Sequence, residues 1–417
     1  MSAPPLLLSL GLQACVVLLA CRAAGWLAER LGQPSVVGMM IAGVLLGPSL
    51  LGAVWPAEQL WLFPVETRAL LKLLAELGVG GYLFCVGLDF DLAQVRQRSR
   101  LTLAVAAAGV LVPFCLAWPL ALGTQDIPGW FAGAATLGQQ VLFLGAALSV
   151  TAFPMLVWIV RSKGLADSPM GTVAISAGAI GDAFAWVILA IVLASFTGSA
   201  LVVVRCLAGA ILIVAVARYL VPRLLAGVAA ECERRQALTP TAVLACLALF
   251  GGFVALSTWC GMHAVFGGFL CGLSLPRGEM TRRLRAMEPW VAVWLLPFFF
   301  TSSGINTRLD LLLAPSALWL VVLVLFVALL GKGGACWIAA RWAGLPSAEA
   351  AGVASLMNAR GLMELILLNV GLQAGLVGPI LFSVLVVMAV VTTLMAGPLF
   401  EWTYGRRARK AGGMGRL

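Results

Sequence analysis

Charged residues are scarce in this sequence: Asp, Glu, Lys and Arg make up 11% of its 417 positions, against 62% hydrophobic residues. A soluble domain carries roughly 25% charged residues, because water must wet its surface. The scarcity therefore excludes an ordinary soluble domain and indicates a chain whose surface faces mainly lipid. Lipid admits only helices or closed barrels, since every backbone polar group must be paired internally. Barrel strands alternate apolar and polar residues. Unbroken apolar runs such as 318–330 predict an all-α polytopic membrane protein instead.

The sequence also lacks the residues of common metal and redox sites. His263 is its single histidine, and its ten cysteines show no CxxC spacing and lie mainly in apolar runs. We interpret the cysteines as small buried residues. No nucleophile–base pair or metal cluster is visible, so we expect neither an enzyme nor a cofactor. Acidic residues are few as well, which leaves a formal net charge of +10. Because the basic residues cluster in short loops, we attribute this charge to a cytoplasmic membrane face and expect no nucleic-acid partner.

Thirteen segments are predicted to cross the bilayer, where a helix needs about 20 residues. The stretch 52–68 contains prolines and charged residues, so we interpret it as an interfacial loop. The predicted spans are 5–21, 34–51, 69–89, 101–122, 131–160, 170–197, 201–221, 239–257, 262–276, 289–305, 314–340, 348–372 and 379–401.

The distribution of basic residues predicts the orientation of the chain. With thirteen spans, most of the 27 Lys and Arg residues fall in loops on one side. Basic loops stay on the cytoplasmic side of a membrane. The sequence therefore predicts an outside N-terminus, a short basic cytoplasmic tail over 402–417, and a location in the cell (inner) membrane.

A basic segment at 222–238 divides the sequence into two halves of similar size. Transporters are commonly built from two inverted repeats, each with one discontinuous helix near the bilayer midplane. We predict a first repeat at 5–197, a connecting helix and loop at 198–238 and a second repeat at 239–401. Polar residues next to a proline or glycine interrupt one span in each half. These candidate helix breaks contain Ser149, Thr151 and Pro154 in the fifth span, and Asn358, Arg360, Gly361 and Glu364 in the twelfth.

Ionisable residues within a span are costly and indicate function. Asp182 lies near the middle of the sixth span, among apolar residues. A carboxylate shielded from water can exchange a proton for a metal cation near neutral pH. Its oxygens suit a hard alkali ion, as do the oxygens of Ser149 and Thr151. The alternative is an ion pair between Asp182 and Lys332 that serves only packing.

Other charged residues within the spans suggest pairing between helices. Glu76 and Arg360 are predicted to pair between the third and twelfth spans, either as a structural clamp or with a direct role in transport. Glu364 follows Arg360 by four residues, which places both on one face of a helix. His263 begins a short span and is interpreted as an interface residue.

Five stretches in order along the chain resemble the monovalent cation:proton antiporters, in the branch with Kef-type and plant CHX-type exchangers. They cover 74–88, 147–154, 263–273, 296–304 and 356–365. The resemblance implies two inverted repeats with crossed discontinuous helices at the fifth and twelfth spans, and a homodimer. It also implies a core domain that moves against a dimerisation domain.

The resemblance further implies roles for individual residues. Asp182 corresponds to the aspartate that carries cation and proton, Thr151 to the threonine of the fifth-span break, and Lys332 and Arg360 to basic residues of the eleventh and twelfth spans. Gly181 departs from the family, which usually has Asn, Asp or Gln before the aspartate. Relatives often carry a cytosolic regulatory domain. We expect none here and predict a single transmembrane domain over 1–417.

These observations favour a secondary active antiporter that exchanges K⁺ or Na⁺ for protons by alternating access. Asp182 would bind cation and proton in turn, with Ser149 and Thr151 as oxygen ligands. Two alternatives remain at this stage. One is a Kef-like gated K⁺ efflux system, and the other is a membrane sensor or partner whose site is degenerate at Gly181.

Overall fold

The computed structural model describes residues 6–89, 99–131, 135–165, 168–197, 200–260, 264–312 and 315–405. Within these ranges the chain is helical, apart from short loops and one isolated bridge between Phe131 and Val377. Eight of the described helices are long and apolar enough to cross a membrane, by length and composition. The prediction of an all-helical chain is therefore confirmed.

The described residues of the first half of the chain form nine helices. They are α1 (Leu6–Arg30), α2 (Ser35–Leu46), α3 (Leu51–Val54), α4 (Pro56–Leu62), α5 (Val65–Asp89), α6 (Ser99–Thr124), α7 (Leu137–Ser149), α8 (Phe153–Ser162) and α9 (Pro169–Thr197). The second half follows the connecting helices α10 (Ala200–Ala215) and α11 (Val221–Arg235), with a π-turn (Val216–Leu220) between them. It contains α12 (Pro240–Trp259), α13 (Ala264–Ser274), α14 (Glu279–Arg285), α15 (Glu288–Trp294), α16 (Leu296–Ile305), α17 (Pro315–Ala328), α18 (Ala335–Trp342), α19 (Ser347–Met357), α20 (Leu362–Gln373) and α21 (Pro379–Phe400).

Two predicted loops are partly helical. The stretch 52–68 contains α3, α4 and the start of α5. The basic segment at 222–238, which belongs to the predicted connecting helix and loop at 198–238, is helical up to Arg235, where α11 ends. This helix is amphipathic, since Val221, Leu225 and Cys232 are buried at roughly helical spacing while most of the other residues face outward. Its polar composition alone does not indicate a helix.

The helices pack in two groups. In one group, α5 lies against α13 and α16, and α2 lies against α1 and α16. In the other, α9 lies against α6, α7, α8 and α19, while α21 covers α17, α19 and α20. Glycines allow the close contacts. A Cβ atom at Gly43 of α2 would overlap the carbonyl oxygen of Phe300, and one at Gly304 of α16 would overlap that of Gly43. Small residues of this kind let membrane helices approach through their backbones.

Candidate functional site

Two helices are interrupted where they meet. α7 ends at Ser149 and α8 begins at Phe153, and α19 ends at Met357 and α20 begins at Leu362. The extended segments between them are joined by a hydrogen bond of 2.9 Å from the backbone N–H of Ala152 to the carbonyl of Ala359. The predicted breaks in the fifth and twelfth spans are therefore present, and the two segments cross there.

The residue types at the two breaks explain why the helices stop. Pro154, in the first turn of α8, has no backbone N–H to continue the ladder of α7. Gly361, at the start of α20, has a φ of 151°, which a residue with a Cβ atom rarely adopts. The side chain of Pro154 lies outside the described part of the structure.

The two buried cations bind the carbonyl end of α7. The last carbonyls of a helix lack intrahelical partners and carry partial negative charge. The Arg360 guanidinium donates to the carbonyls of Ala147 and Leu148, both at 2.6 Å. The Lys332 ammonium donates to the carbonyl of Ser149. Both side chains are at most 1% exposed. Lys332, from the segment between α17 and α18, and Arg360, from the α19–α20 break, therefore stabilise the end of α7 away from water.

Lys332 lies in a π-turn, Leu329–Gly334, that interrupts the long helix formed by α17 and α18. Such turns occur frequently at functional sites. The amide of Asn358 reaches this turn and donates to the carbonyl of Leu329 at 3.4 Å. The side chain of Asn358 packs so closely on Gly333 that a Cβ atom there would overlap its amide nitrogen. Asn358 thus connects the π-turn of Lys332 to the break that holds Arg360.

We expect Gly333→Ala to impair the site, because the new methyl group must displace Asn358 and with it the π-turn of Lys332. Overpacking of this kind costs about 1–3 kcal/mol. The measurement is the thermal midpoint of the purified protein in detergent, with cation-driven proton flux as the second readout. Gly334→Ala is the matched control, because no described atom lies within 4 Å of a Cβ atom at that neighbouring glycine. Equal stability and flux for the two variants would contradict the role given to Gly333.

Several buried oxygen atoms near the breaks have no hydrogen-bond partner among the described residues. They are the hydroxyl of Thr151, the amide oxygen of Asn358 and both carboxylate oxygens of Glu364. The hydroxyl of Ser149 donates to the carbonyl of Ala146 at 3.0 Å and keeps its lone pairs. Buried polar atoms are rarely left without a partner. Oxygen atoms are the ligands that hard cations prefer, so the donor set at the fifth-span break fits a dehydrated alkali ion.

The helix that carries Asp182 passes directly beside the crossing. The backbone of α9 contacts α7, α8 and α19. The side chain of Asp182 lies outside the described part of the structure, and so does the predicted alternative of an ion pair with Lys332. Gly181 is buried, yet no described atom lies within 4 Å of a Cβ atom built on it.

The predicted pairing of charged residues is only partly correct. Arg360 and Glu364 do form a buried pair, with Nη1 and Oε2 4.0 Å apart. The pairing of Glu76 with Arg360 is wrong. Glu76 pairs with Lys72 on its own helix, at 3.9 Å, and its side chain is 43% exposed. His263 lies outside the described residues.

One residue of the site was not anticipated. The hydroxyl of Thr393, in α21, accepts a hydrogen bond from the backbone N–H of Arg360 at 3.1 Å and donates one to its carbonyl. The Thr393 hydroxyl thus pairs the backbone N–H and carbonyl groups of Arg360, which have no helical partners because the helix is interrupted there. The pair Thr392–Thr393 within the apolar run 379–401 was the available signal.

Crossed, discontinuous helices with buried charges at their break define the class: a secondary transporter of the membrane, with a site built from helix ends. The comparisons with known proteins specify the family. Residues 16–404 match the family described as "Sodium/hydrogen exchanger, transmembrane", and the chain belongs to this family. It is thus a transporter rather than an enzyme.

The chain is similar to several antiporters. The Na⁺/H⁺ antiporter NhaS4 of Synechocystis sp. is 34% identical over 93% of this chain and 95% of its own length. Cation/H⁺ antiporter 17 of Arabidopsis thaliana is 32% identical over 96% of this chain but only 49% of its own length. This chain thus spans about half the length of that plant relative. Among solved structures, the sodium proton antiporter MjNhaP1 of Methanocaldococcus jannaschii matches with a TM-score of 0.66 over 95% of this chain and 99% of its own. The sequences are 14% identical, so that likeness concerns the fold.

Proposed function

We propose that this protein is a secondary active antiporter that exchanges a monovalent cation, K⁺ or Na⁺, for protons by alternating access. Asp182 binds cation and proton in turn, and Thr151 and Ser149 supply oxygen ligands. The observation that carries the proposal is the buried hydroxyl of Thr151, which has no hydrogen-bond partner among the described residues and lies at a helix break beside α9. Lys332 and Arg360 bind the carbonyl end of α7. These contacts stabilise the interruption between α7 and α8, where a ligand can bind.

Competition for one carboxylate makes the exchange obligatory. The core moves when Asp182 is neutralised by either ligand, because an ionised, unpaired carboxylate is costly to carry through an apolar environment. Lys332, which binds the carbonyl of Ser149 at the break, adds a fixed positive charge that influences this balance. With one carboxylate as carrier, we infer electroneutral exchange of one cation for one proton.

We propose that the chain folds as two inverted repeats, at 5–197 and 239–401, with 198–238 as the connection. The packing of the helices supports this division, since several pairs have a counterpart in the other half. The pair α1–α2 corresponds to α12–α13, and α2–α16 corresponds to α13–α5. Likewise, α6–α7 corresponds to α18–α19, and α6–α9 corresponds to α17–α21.

The place of the protein in the cell is also a proposal. We propose a homodimer in the cell (inner) membrane, with the N-terminus outside and a basic cytoplasmic tail at 402–417. The concentration of basic residues in alternate loops supports this orientation.

The test is proton flux in proteoliposomes that contain a trapped pH dye, with K⁺, Na⁺, Li⁺ or choline chloride added in turn. We expect a change in internal pH with one or more alkali ions and none with choline. Cation flux that does not depend on the pH gradient, or single-channel currents, would favour a gated K⁺ efflux system. An unchanged internal pH with every cation would favour a membrane sensor or partner whose site is degenerate. Gly181→Asn is then the variant to measure, because no described atom obstructs a Cβ atom at that position.

A further inference from the structure

A polar cleft separate from the helix crossing lies between α5, α16 and α20. Its mouth is formed by exposed Lys72 and Gln373, and Glu76, Ser302 and Asn369 follow below them. The space that a water molecule can reach in the cleft is about 30 Å³. A single water needs roughly 10–15 Å³ by this measure. The cleft therefore has room for one or two water molecules or one alkali ion, and none for an organic ligand.

The cleft becomes apolar and buried towards the helix crossing. Its closed end is formed by Val79, Phe299 and Ile366, all buried. Ile366 lies five residues beyond Gly361, which at the α-helical rise is about 7 Å from the break, whereas Gln373 is about 18 Å away. The polar mouth and the apolar end thus lie on a line along α20 that leads to the transport site.

One hydrogen bond closes the cleft across its width. The amide of Asn369, on α20, donates to the hydroxyl of Ser303, on α16, at 3.2 Å. α20 begins at the helix break, whereas α16 packs with α2 and α5 in the other group of helices. Movement of one group against the other must break this bond, so the width of the cleft depends on the conformation of the transporter.

The electrostatics of the cleft favour a cation. Among the described residues, Glu76 is the only acidic one that lines it, and its partner Lys72 is 3.9 Å away and half-exposed. Such an exposed ion pair is weak. A mobile cation can replace Lys72 beside the carboxylate. The Glu76 carboxylate then attracts that cation in the cleft.

We propose that this cleft is an entry vestibule in which Glu76 binds the transported monovalent cation before it reaches the helix crossing, in competition with Lys72. Val79, Phe299 and Ile366 close the vestibule in this conformation. In the proposed orientation its mouth opens to the outer face. The inference rests on the proposed antiport function for the identity of the cation, but the charge of the vestibule can be tested without transport.

The first experiment measures transport kinetics. Glu76→Gln should raise the KM for the cation by about fivefold, the effect of one unit charge at about 4 Å in water, while the rate at saturating cation changes little. Lys72→Gln should lower the KM, since it removes the competing cation. Glu66→Gln is the matched control, because Glu66 is an exposed glutamate on the same helix outside the cleft. A KM equal to that of the Glu66 variant, or a loss confined to the maximal rate, would overturn the proposal.

The second experiment does not require transport. Gln373→Cys places a thiol at the exposed mouth of the vestibule, and its rates of labelling by cationic and anionic methanethiosulfonates are compared after subtraction of the parent protein. Glu76→Gln should lower the cationic-to-anionic ratio by up to about 25-fold, because one unit charge at about 4 Å changes the two rates about fivefold in opposite directions. Lys72→Gln should raise the ratio, and Glu66→Gln should leave it unchanged. A ratio insensitive to Glu76 refutes the vestibule even if antiport is present. A ratio that shifts in a protein without flux supports the vestibule and refutes the proposed function.

Discussion

Arg360→Met is expected to lower the free energy of unfolding by about 3–5 kcal/mol, the cost of removing one partner of a buried ion pair. The substitution abolishes two hydrogen bonds of 2.6 Å to the carbonyls of Ala147 and Leu148. It also removes the ion-pair partner of the fully buried Glu364. Thermal or denaturant unfolding of the purified protein in detergent measures the loss.

Two further variants separate charge from packing at this position. In the double variant Arg360→Met, Glu364→Gln, part of the stability should return, because no uncompensated carboxylate remains.

Arg308→Met is the matched control. Arg308 also binds a carboxylate, Asp310, but both side chains are 44% exposed or more. Its guanidinium holds the pKa of Asp310 below the usual value, yet exposed pairs of this kind contribute less than about 1 kcal/mol. Equal losses for Arg360→Met and Arg308→Met would show that the buried cap does not stabilise the crossing.

Asp182→Asn is expected to reduce cation-driven proton flux to the level of empty liposomes and to leave the protein folded. An amide has nearly the size of a carboxyl group but binds neither a proton nor an alkali ion with comparable affinity, so the two ligands can no longer exchange. Proteoliposomes that contain the variant are compared with the unaltered protein at equal protein density. Elution as a single species in gel filtration, together with an unchanged thermal midpoint, confirms folding.

The control for Asp182 is another aspartate in a different environment. Asp126→Asn makes the same chemical change at an exposed position after α6 and should retain full flux. Thr151→Val should give an intermediate result, namely weaker cation affinity, because it removes one oxygen ligand and keeps the carboxylate. Full exchange by the Asp182 variant would refute the assignment of the carrier.

Much of the site was predictable because the breaks carry unusual residues. A proline or glycine beside polar residues in an apolar run has few explanations other than an interrupted helix. The residues Thr151, Asn358 and Arg360 were identified on these grounds, and all three lie at or beside the observed crossing. The i,i+4 relation of Arg360 and Glu364 follows from helix geometry alone, and it is present.

Other contacts had no sequence signal. Arg360 and Lys332 bind backbone carbonyls, which every residue possesses, so no side-chain pattern indicates them. The predicted pairing of Glu76 with Arg360 was wrong because opposite charges do not indicate how deeply each side chain is buried in the protein. Glu76 is partly exposed on α5 beside Lys72, four residues earlier on the same helix, whereas Arg360 is fully buried.

The sequence by itself determined that this chain is an all-helical membrane protein of the exchanger family, and where two of its helices break. These properties depend on hydropathy, on Pro and Gly, and on the order of motifs, all of which are local in the chain. The tertiary structure alone decided that two buried cations cap α7, that Thr393 completes the break in the second half, and that Glu76 faces a cleft. Those features arise from residues far apart in sequence that packing brings within hydrogen-bond distance, and each depends on which backbone groups remain unpaired once the helices have crossed.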